Sequence, residues 1–255
     1  MSNIVKIGNA VCDENGTAGS KNSKPGNQTG KELRVQPWYL SKSGWVVLRP
    51  KDKLTADKIA YDCNAACLNK FIGYNQKRRG TLYTYAKQYN FDCYKVHDAC
   101  ECDCSSLVRV CCAYAGIVVG NFNTASEVKT LMATGKFEKL TDPKYTKQSD
   151  YLMRGDILVT VTKGHTAVVL NDGPKSERPG TEPSYDPLQT SILVKGSVNV
   201  RTGNGTEYPV IGTARNCKLV YLGQAEDEPY WYKTVFNGQG GYITSKEKYT
   251  ELVEA

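Results

Sequence analysis

Asp103-Cys104-Ser105-Ser106-Leu107-Val108-Arg109-Val110-Cys111-Cys112-Ala113-Tyr114-Ala115-Gly116 begins with a helix-capping residue and closes on a glycine. Between them Cys104, Leu107, Val108 and Cys111 fall at i, i+3, i+4 and i+7, the spacing of one helix face. Asp103 is a good N-cap and Gly116 a good stop, so the pattern predicts a helix over 104–115. Cys104 then stands in the first turn. Unpaired backbone N–H groups and the positive end of the helix dipole favour a thiolate there. The plain alternative is a buried thiol on an amphipathic helix, and that is how Cys111 and Cys112 read.

A thiol nucleophile needs a base. The chain has two histidines, His97 and His165. His165 follows the tight turn Thr162-Lys163-Gly164 and opens the run Thr166-Ala167-Val168-Val169-Leu170, a fixed strand position from which a ring could face a helix end. His97 lies in an irregular segment with Cys93, Cys100, Cys102 and Cys104, which raises a zinc site as an alternative. Zinc sites favour paired C-x2-C spacing, and the C-x-C-x-C run makes a poor tetrahedral clamp, so no metal or other cofactor is expected.

Composition sets the frame. The 255 residues carry 33 Lys and Arg against 26 Asp and Glu, a net charge of +7. Such a balance suits solubility or attraction to a polyanion. No Lys/Arg block or nucleic-acid motif appears, so nucleic acid is not the expected partner. No apolar run is long enough to span a bilayer, and Met1 to Ala10 has no apolar segment of signal-peptide length. The ten cysteines, in a chain of this length without a signal, point to a reduced state rather than a disulfide framework.

Outward from Cys104, three strands are expected before it: Ile4–Ile7, Glu32–Val35 and Trp45–Leu48. A helix over 53–71 follows, its apolar stripe Leu54, Ile59, Ala60, Cys63, Ala66 and Cys67, with Asp57, Lys58, Asp62 and Asn64 set apart. Further helices are expected at 79–88 and 125–134, then a hairpin of Asp156–Val161 and His165–Leu170. Pro174, Pro179, Pro183 and Pro187 mark a linker at 173–190. Residues 191–255 hold only short strands and turns, a small all-β barrel. The domains are thus 1–172 and 191–255.

Several of these segments resemble a known family. Asp103-Cys104-Ser105-Ser106-Leu107-Val108 resembles the D-C-S-[GS]-L-V nucleophile motif of the NlpC family of papain-like, CHAP-related cell-wall peptidases. Arg154-Gly155-Asp156-Ile157-Leu158-Val159 and Gly164-His165-Thr166-Ala167 are similar to its R-G-D strand and its base-bearing G-H strand. Ile72-Gly73-Tyr74-Asn75-Gln76 with Arg79 resembles the G-Y-D-Q…R segment of phage lysins. The pieces that normally follow the histidine strand resemble the N-terminus instead. Gly8-Asn9-Ala10 with Asp13-Glu14-Asn15-Gly16 looks like the strand of the third residue. Gly26-Asn27-Gln28-Thr29-Gly30-Lys31-Glu32 looks like the G-D-Q-T-G-[KR]-E turn, and Trp45-Val46-Val47-Leu48-Arg49 like the last strand. The resemblance therefore implies a circularly permuted α+β papain-like domain. Val198-Asn199-Val200-Arg201-Thr202-Gly203, Tyr208-Pro209-Val210-Ile211-Gly212, Trp231-Tyr232-Lys233 and Gly241-Tyr242-Ile243 resemble the signature of bacterial SH3-like wall-binding domains.

The resemblance implies a catalytic set of Cys104, His165 and Asn9, with Asp172 the other candidate for the orienting place, and Tyr74, Asp103 and Gln28 at the substrate. It implies hydrolysis of an amide in the stem peptide of Gram-positive peptidoglycan, first as a D-γ-glutamyl-diamino acid endopeptidase, next as an N-acetylmuramoyl-L-alanine amidase. Cys104 is expected to rest as a thiolate paired with His165. A phage endolysin, made in the host cytoplasm and released through a holin, fits the missing signal. A non-catalytic wall-binding protein is the alternative from another class.

Overall fold

The structure, a computed structural model, describes residues 4–18, 22–176, 190–225, 230–237 and 239–254. The chain divides into two compact units, residues 1–178 and 179–255. Most of the expected linker, 177–189, lies outside the described residues.

Unit 1 is built on a six-stranded antiparallel sheet, order β2-β1-β8-β7-β3-β6. The strands are β1 (Lys6–Ala10), β2 (Leu33–Pro37), β3 (Trp45–Pro50), β6 (Phe137–Leu140), β7 (Ile157–Thr160) and β8 (Thr166–Val169). β1 lies beside β8, with Ile7 opposite Val169 and Gly8 opposite Val168. β3 lies beside β7, Trp45 to Leu48 matching Thr160 to Ile157. Alternate residues bury Val5, Ile7, Trp45, Val47, Leu158, Ala167 and Val169 in one core with Leu152.

Helices α1 (Lys53–Leu68) and α3 (Cys104–Tyr114) pack on the sheet and on each other, with α2 (Thr81–Ala86), α4 (Thr124–Met132) and the short α5 (Pro143–Thr146) completing the helices of the unit. α1 departs from the expected pattern. Leu54 is 63% exposed while Asp62 is fully buried and Asn64 nearly so. The helix is enclosed by α3, the sheet and the turn after residue 92, so its hidden surface is far wider than one stripe. Asp62 stays inside because its Oδ1 accepts the backbone N–H of Cys93 at 2.7 Å.

Two three-residue strands were not expected: β4 (Ile72–Tyr74) and β5 (Cys100–Cys102), a parallel pair. β5 delivers the chain to Asp103 and Cys104, and β4 sets Tyr74 beside it. The Gly26 turn covers β4 so closely that a Cβ on Gly73 would stand 2.1 Å from the Gly26 carbonyl oxygen. Buried Glu32 closes that turn, accepting the N–H groups of Gln28 at 2.7 Å and Thr29 at 2.9 Å.

Unit 2 contains two antiparallel sheets. One orders β11 (Val210–Arg215), β10 (Ser197–Arg201), β14 (Gln239–Thr244) and β13 (Trp231–Phe236); the other orders β12 (Lys218–Val220), β9 (Thr190–Val194) and β15 (Thr250–Glu254). They share a core of Ile192, Val194, Val198, Val200, Ala214, Tyr221 and Ile243. Among the described residues no helix is long and apolar enough to cross a membrane.

Candidate active site

α3 begins where the sequence puts it, and its start is held from several sides. Asp103 forms a capping box with Ser106: its carboxylate accepts the Ser106 N–H at 2.8 Å, and the Asp103 N–H donates to Ser106 Oγ at 2.8 Å. Arg79 binds the same corner, its Nε 3.2 Å from Asp103 Oδ2 and its Nη2 donating to Ser105 Oγ at 3.0 Å. Cys104 occupies the first helical position and is 8% exposed.

His165 stands at the head of β8, half-buried. Its backbone is fixed by Thr160, whose Oγ1 accepts the His165 N–H at 3.0 Å and whose N–H donates to the His165 carbonyl at 2.9 Å. Asn9, on β1 and buried, brings Nδ2 within 3.3 Å of His165 Nε2. The other end of that amide, Oδ1, is buried without a hydrogen-bond partner. The first residue of β8, Thr166, reaches Cys104: its backbone N–H hydrogen-bonds Cys104 Sγ, as does that of Ser105. The histidine strand, the amide strand and the cysteine helix therefore converge on one point from 156 residues apart in sequence.

Other expected residues are less central. Asp172 lies at the opposite end of β8, its Oδ1 accepting the Arg154 N–H at 2.7 Å. Tyr74 is 3% exposed and its hydroxyl accepts Gln76 Nε2 at 3.2 Å; it lies close enough to Cys104 and Asp103 to feel their charge. Gln28 is exposed in the Gly26 turn, with Nε2 on the Pro25 carbonyl at 2.8 Å. His97 pairs with Tyr89 Oη at 2.9 Å. No group of His, Cys, Asp or Glu among the described residues is arranged to hold a metal ion.

Three residues around Cys104 and His165 have no signal in the sequence. Glu127, fully buried on α4, accepts from Thr166 Oγ1 at 2.8 Å, so Thr166 bridges it to Cys104. Burial pushes its carboxyl well above the ordinary value, and Asp103 adds to this while Thr166 and Arg79 oppose it. Arg34 and Tyr39, on and just past β2, complete the surroundings. The charge of Arg34 acts on His165 and on Tyr39, and Tyr39 lies within electrostatic reach of Cys104.

The electrostatics of the two residues run against a charged resting pair. The Cys104 thiol is pushed up to about 12, by burial first and by Asp103 second, against the pull of the Thr166 N–H. His165 is lowered from its ordinary value by burial and then by Arg34. Both directions favour the uncharged thiol and imidazole over the expected thiolate–imidazolium pair. The helix end is real, but desolvation outweighs it.

Two motif residues, Arg49 and Asp156, tie strands of the sheet together. Arg49 at the end of β3 donates to Asp156 twice, Nε to Oδ1 at 2.9 Å and Nη2 to Oδ2 at 2.7 Å. In unit 2 a cleft of about 590 Å³ is lined by Arg201, Glu207, Tyr230, Trp231, Lys246 and Tyr249, among others.

The cysteine helix, the histidine strand and all of the sheet but Lys6 lie inside one stretch that a sequence family describes, and that family belongs to the lytic class of cell-wall proteins. Residues 7–176 match the family model of the endolysin-like domain, well over half of the chain, and the chain belongs to that family. Membership indicates cell-wall lysis as the function and a cell-wall hydrolase as the class of enzyme. None of the curated proteins compared with the chain matches it.

Proposed function

We propose that unit 1 is a circularly permuted papain-like hydrolase of NlpC type that cleaves an amide of the peptidoglycan stem peptide through Cys104, His165 and Asn9. The observation that carries this is the Asn9–His165 contact of 3.3 Å, made at the strand head whose next N–H meets Cys104 Sγ. Permutation is supported by β1 pairing with β8 and by the stitching of the two ends. Leu170 N donates to the Lys6 carbonyl at 2.9 Å, and Asn171 Nδ2 to the Ile4 carbonyl at 3.2 Å.

The chemistry starts from the neutral pair. His165 takes the Sγ proton through Nδ1 as sulfur attacks the amide carbon. Nε2 must then carry a proton, and Asn9 must present Oδ1 to it; a half-turn of the isosteric amide gives this from the present contact. The imidazolium next protonates the departing amine, leaving a thioester on Cys104. Water, deprotonated by His165, attacks the thioester and releases the carboxylate product and the thiol. Backbone N–H groups at the start of α3 are the candidates for stabilising the oxyanion. Unit 2 reads as an SH3-like wall-binding module, supported by its two-sheet core and its aromatic, basic cleft.

The preferred bond is D-γ-glutamyl to the diamino acid, on Gram-positive walls. The test is lysis of such walls by wild type and Cys104→Ala, with mass spectrometry of the fragments. We expect Cys104→Ala to lose lysis and new amino termini to appear on the diamino acid. Unchanged lysis by Cys104→Ala overturns the proposal, and cleavage between muramic acid and alanine replaces the endopeptidase with an amidase.

A further inference from the structure

Arg34 stands directly opposite Asn9 in the β1–β2 register. Residues opposite each other in an antiparallel pair project from the same face. Its guanidinium therefore lies on the side of the sheet where Asn9 meets His165, consistent with its action on both His165 and Tyr39. The side chain is half-buried, and its Nε is shielded from solvent with no hydrogen-bond partner. Among the described residues no carboxylate lies within ion-pair distance of it. The nearest acid in sequence, Glu32, closes its own turn with Oε2, which accepts the N–H groups of Gln28 and Thr29, while its buried Oε1 has no hydrogen-bond partner and forms no ion pair with Arg34.

A half-buried cation without a counter-ion is costly, because desolvation is not offset by a partner. It also opposes the task of the histidine beside it, since a cation there disfavours the imidazolium that catalysis must form. Both costs disappear when an anion arrives with the substrate. A γ-linked glutamyl residue supplies one: linkage through the side chain leaves its α-carboxylate free, a few bonds from the scissile amide. The planar guanidinium suits a carboxylate.

We propose that Arg34 is a substrate-binding residue that receives the free α-carboxylate of the γ-linked glutamyl residue at the scissile bond. The inference rests on the peptidase reading above for the identity of the peptide, but its test does not need turnover. The probes are the tripeptide L-Ala-γ-D-Glu-L-Lys, amidated at its C-terminus, and the same peptide with the glutamyl α-carboxylate also converted to a primary amide. Calorimetry on full-length Cys104→Ala is expected to show the acid binding roughly tenfold or more tighter than the amide. In Cys104→Ala/Arg34→Gln the gap closes because acid binding falls while amide binding is unchanged; Arg34→Lys keeps part of it. Equal binding of the two probes with Arg34 present, a preference that survives Arg34→Gln, or binding of neither probe overturns the assignment. If discrimination is seen and wild type still fails to cleave walls, the anchor stands and the hydrolase reading falls. Wall cleavage without discrimination gives the reverse.

Discussion

Asn9 and His165 meet through one nitrogen each, and that single contact fixes what pH should do. Burial and Arg34 hold His165 below its ordinary value, while burial and Asp103 hold Cys104 at about 12. A base works only when unprotonated, so kcat/KM should climb through an acid limb lying below pH 6.5 and then stay level through neutrality. The thiol stays protonated over that whole range. Alkylation of Cys104 by iodoacetamide, followed peptide by peptide, should therefore be slow at pH 7 and rise only in strong alkali. A Cys104 alkylation rate already level at pH 6 would mean that the resting pair is charged after all. Asn9→Ala should lower kcat on the order of tenfold to a hundredfold, with substrate binding little changed, since in the proposed mechanism the amide orients the ring rather than touching substrate. Loss of activity in Asp172→Ala with Asn9→Ala unaffected would move the orienting role to the far end of β8.

α1 shows how far an element can differ from its sequence pattern. Asp62, in the middle of the helix, is fully buried and has its carboxyl raised to about 8, by burial first and then by Asp92; the Cys93 N–H pulls the other way. The sign follows from proton counts. Between the ordinary value of 3.8 and about 8 the folded chain keeps a proton that the unfolded chain has released. Stability contributed by this residue therefore falls as pH rises through that window and levels off above it. Asp62→Asn keeps an acceptor for the Cys93 N–H and removes the titration. Against wild type it should be near neutral at pH 4 and gain on the order of a few kcal/mol by pH 9, read from urea unfolding at both values. A difference that does not change with pH would show that Asp62 is ionised inside. The sequence betrayed the long elements because period and caps repeat over many residues: α3, α4 and the strands of the hairpin could all be read. It hid β4 and β5, which have three residues each and exist through contact with one another and with the Gly26 turn. It also hid β6, an edge strand whose Glu138 and Lys139 are exposed. For the candidate site, Cys104 and His165 stood out by local position and Asn9 by resemblance, and the fold brings Asn9 within 3.3 Å of His165. Glu127 and Arg34 were not, because each becomes significant only through a neighbour distant in the chain.

On the scale of the molecule, the order of strands in the sheet is separable from their order along the chain. β8 and β1 are antiparallel neighbours, joined by backbone bonds such as Leu170 N to the Lys6 carbonyl at 2.9 Å. Such a pair needs no more than a short turn to connect it. The Arg49–Asp156 pair likewise joins β3 to the start of β7 with no covalent link between them. Cutting the chain between β3 and α1, at exposed Lys51, breaks no strand and leaves Asp52 to cap α1. A chain running from 51 to 172, then a short Gly/Ser turn, then 4 to 50, should therefore rebuild the same sheet. Closing so small a loop costs little. The expected result is a cooperative thermal transition, the far-UV spectrum of unit 1 in its native order, and cleavage of the γ-glutamyl tripeptide that Cys104→Ala abolishes. A collapsed chain without a cooperative transition would show that the β1–β8 seam does not tolerate a covalent turn. The N-terminal position of the Asn9 strand would then be a requirement of this fold rather than a rearrangement of an older one.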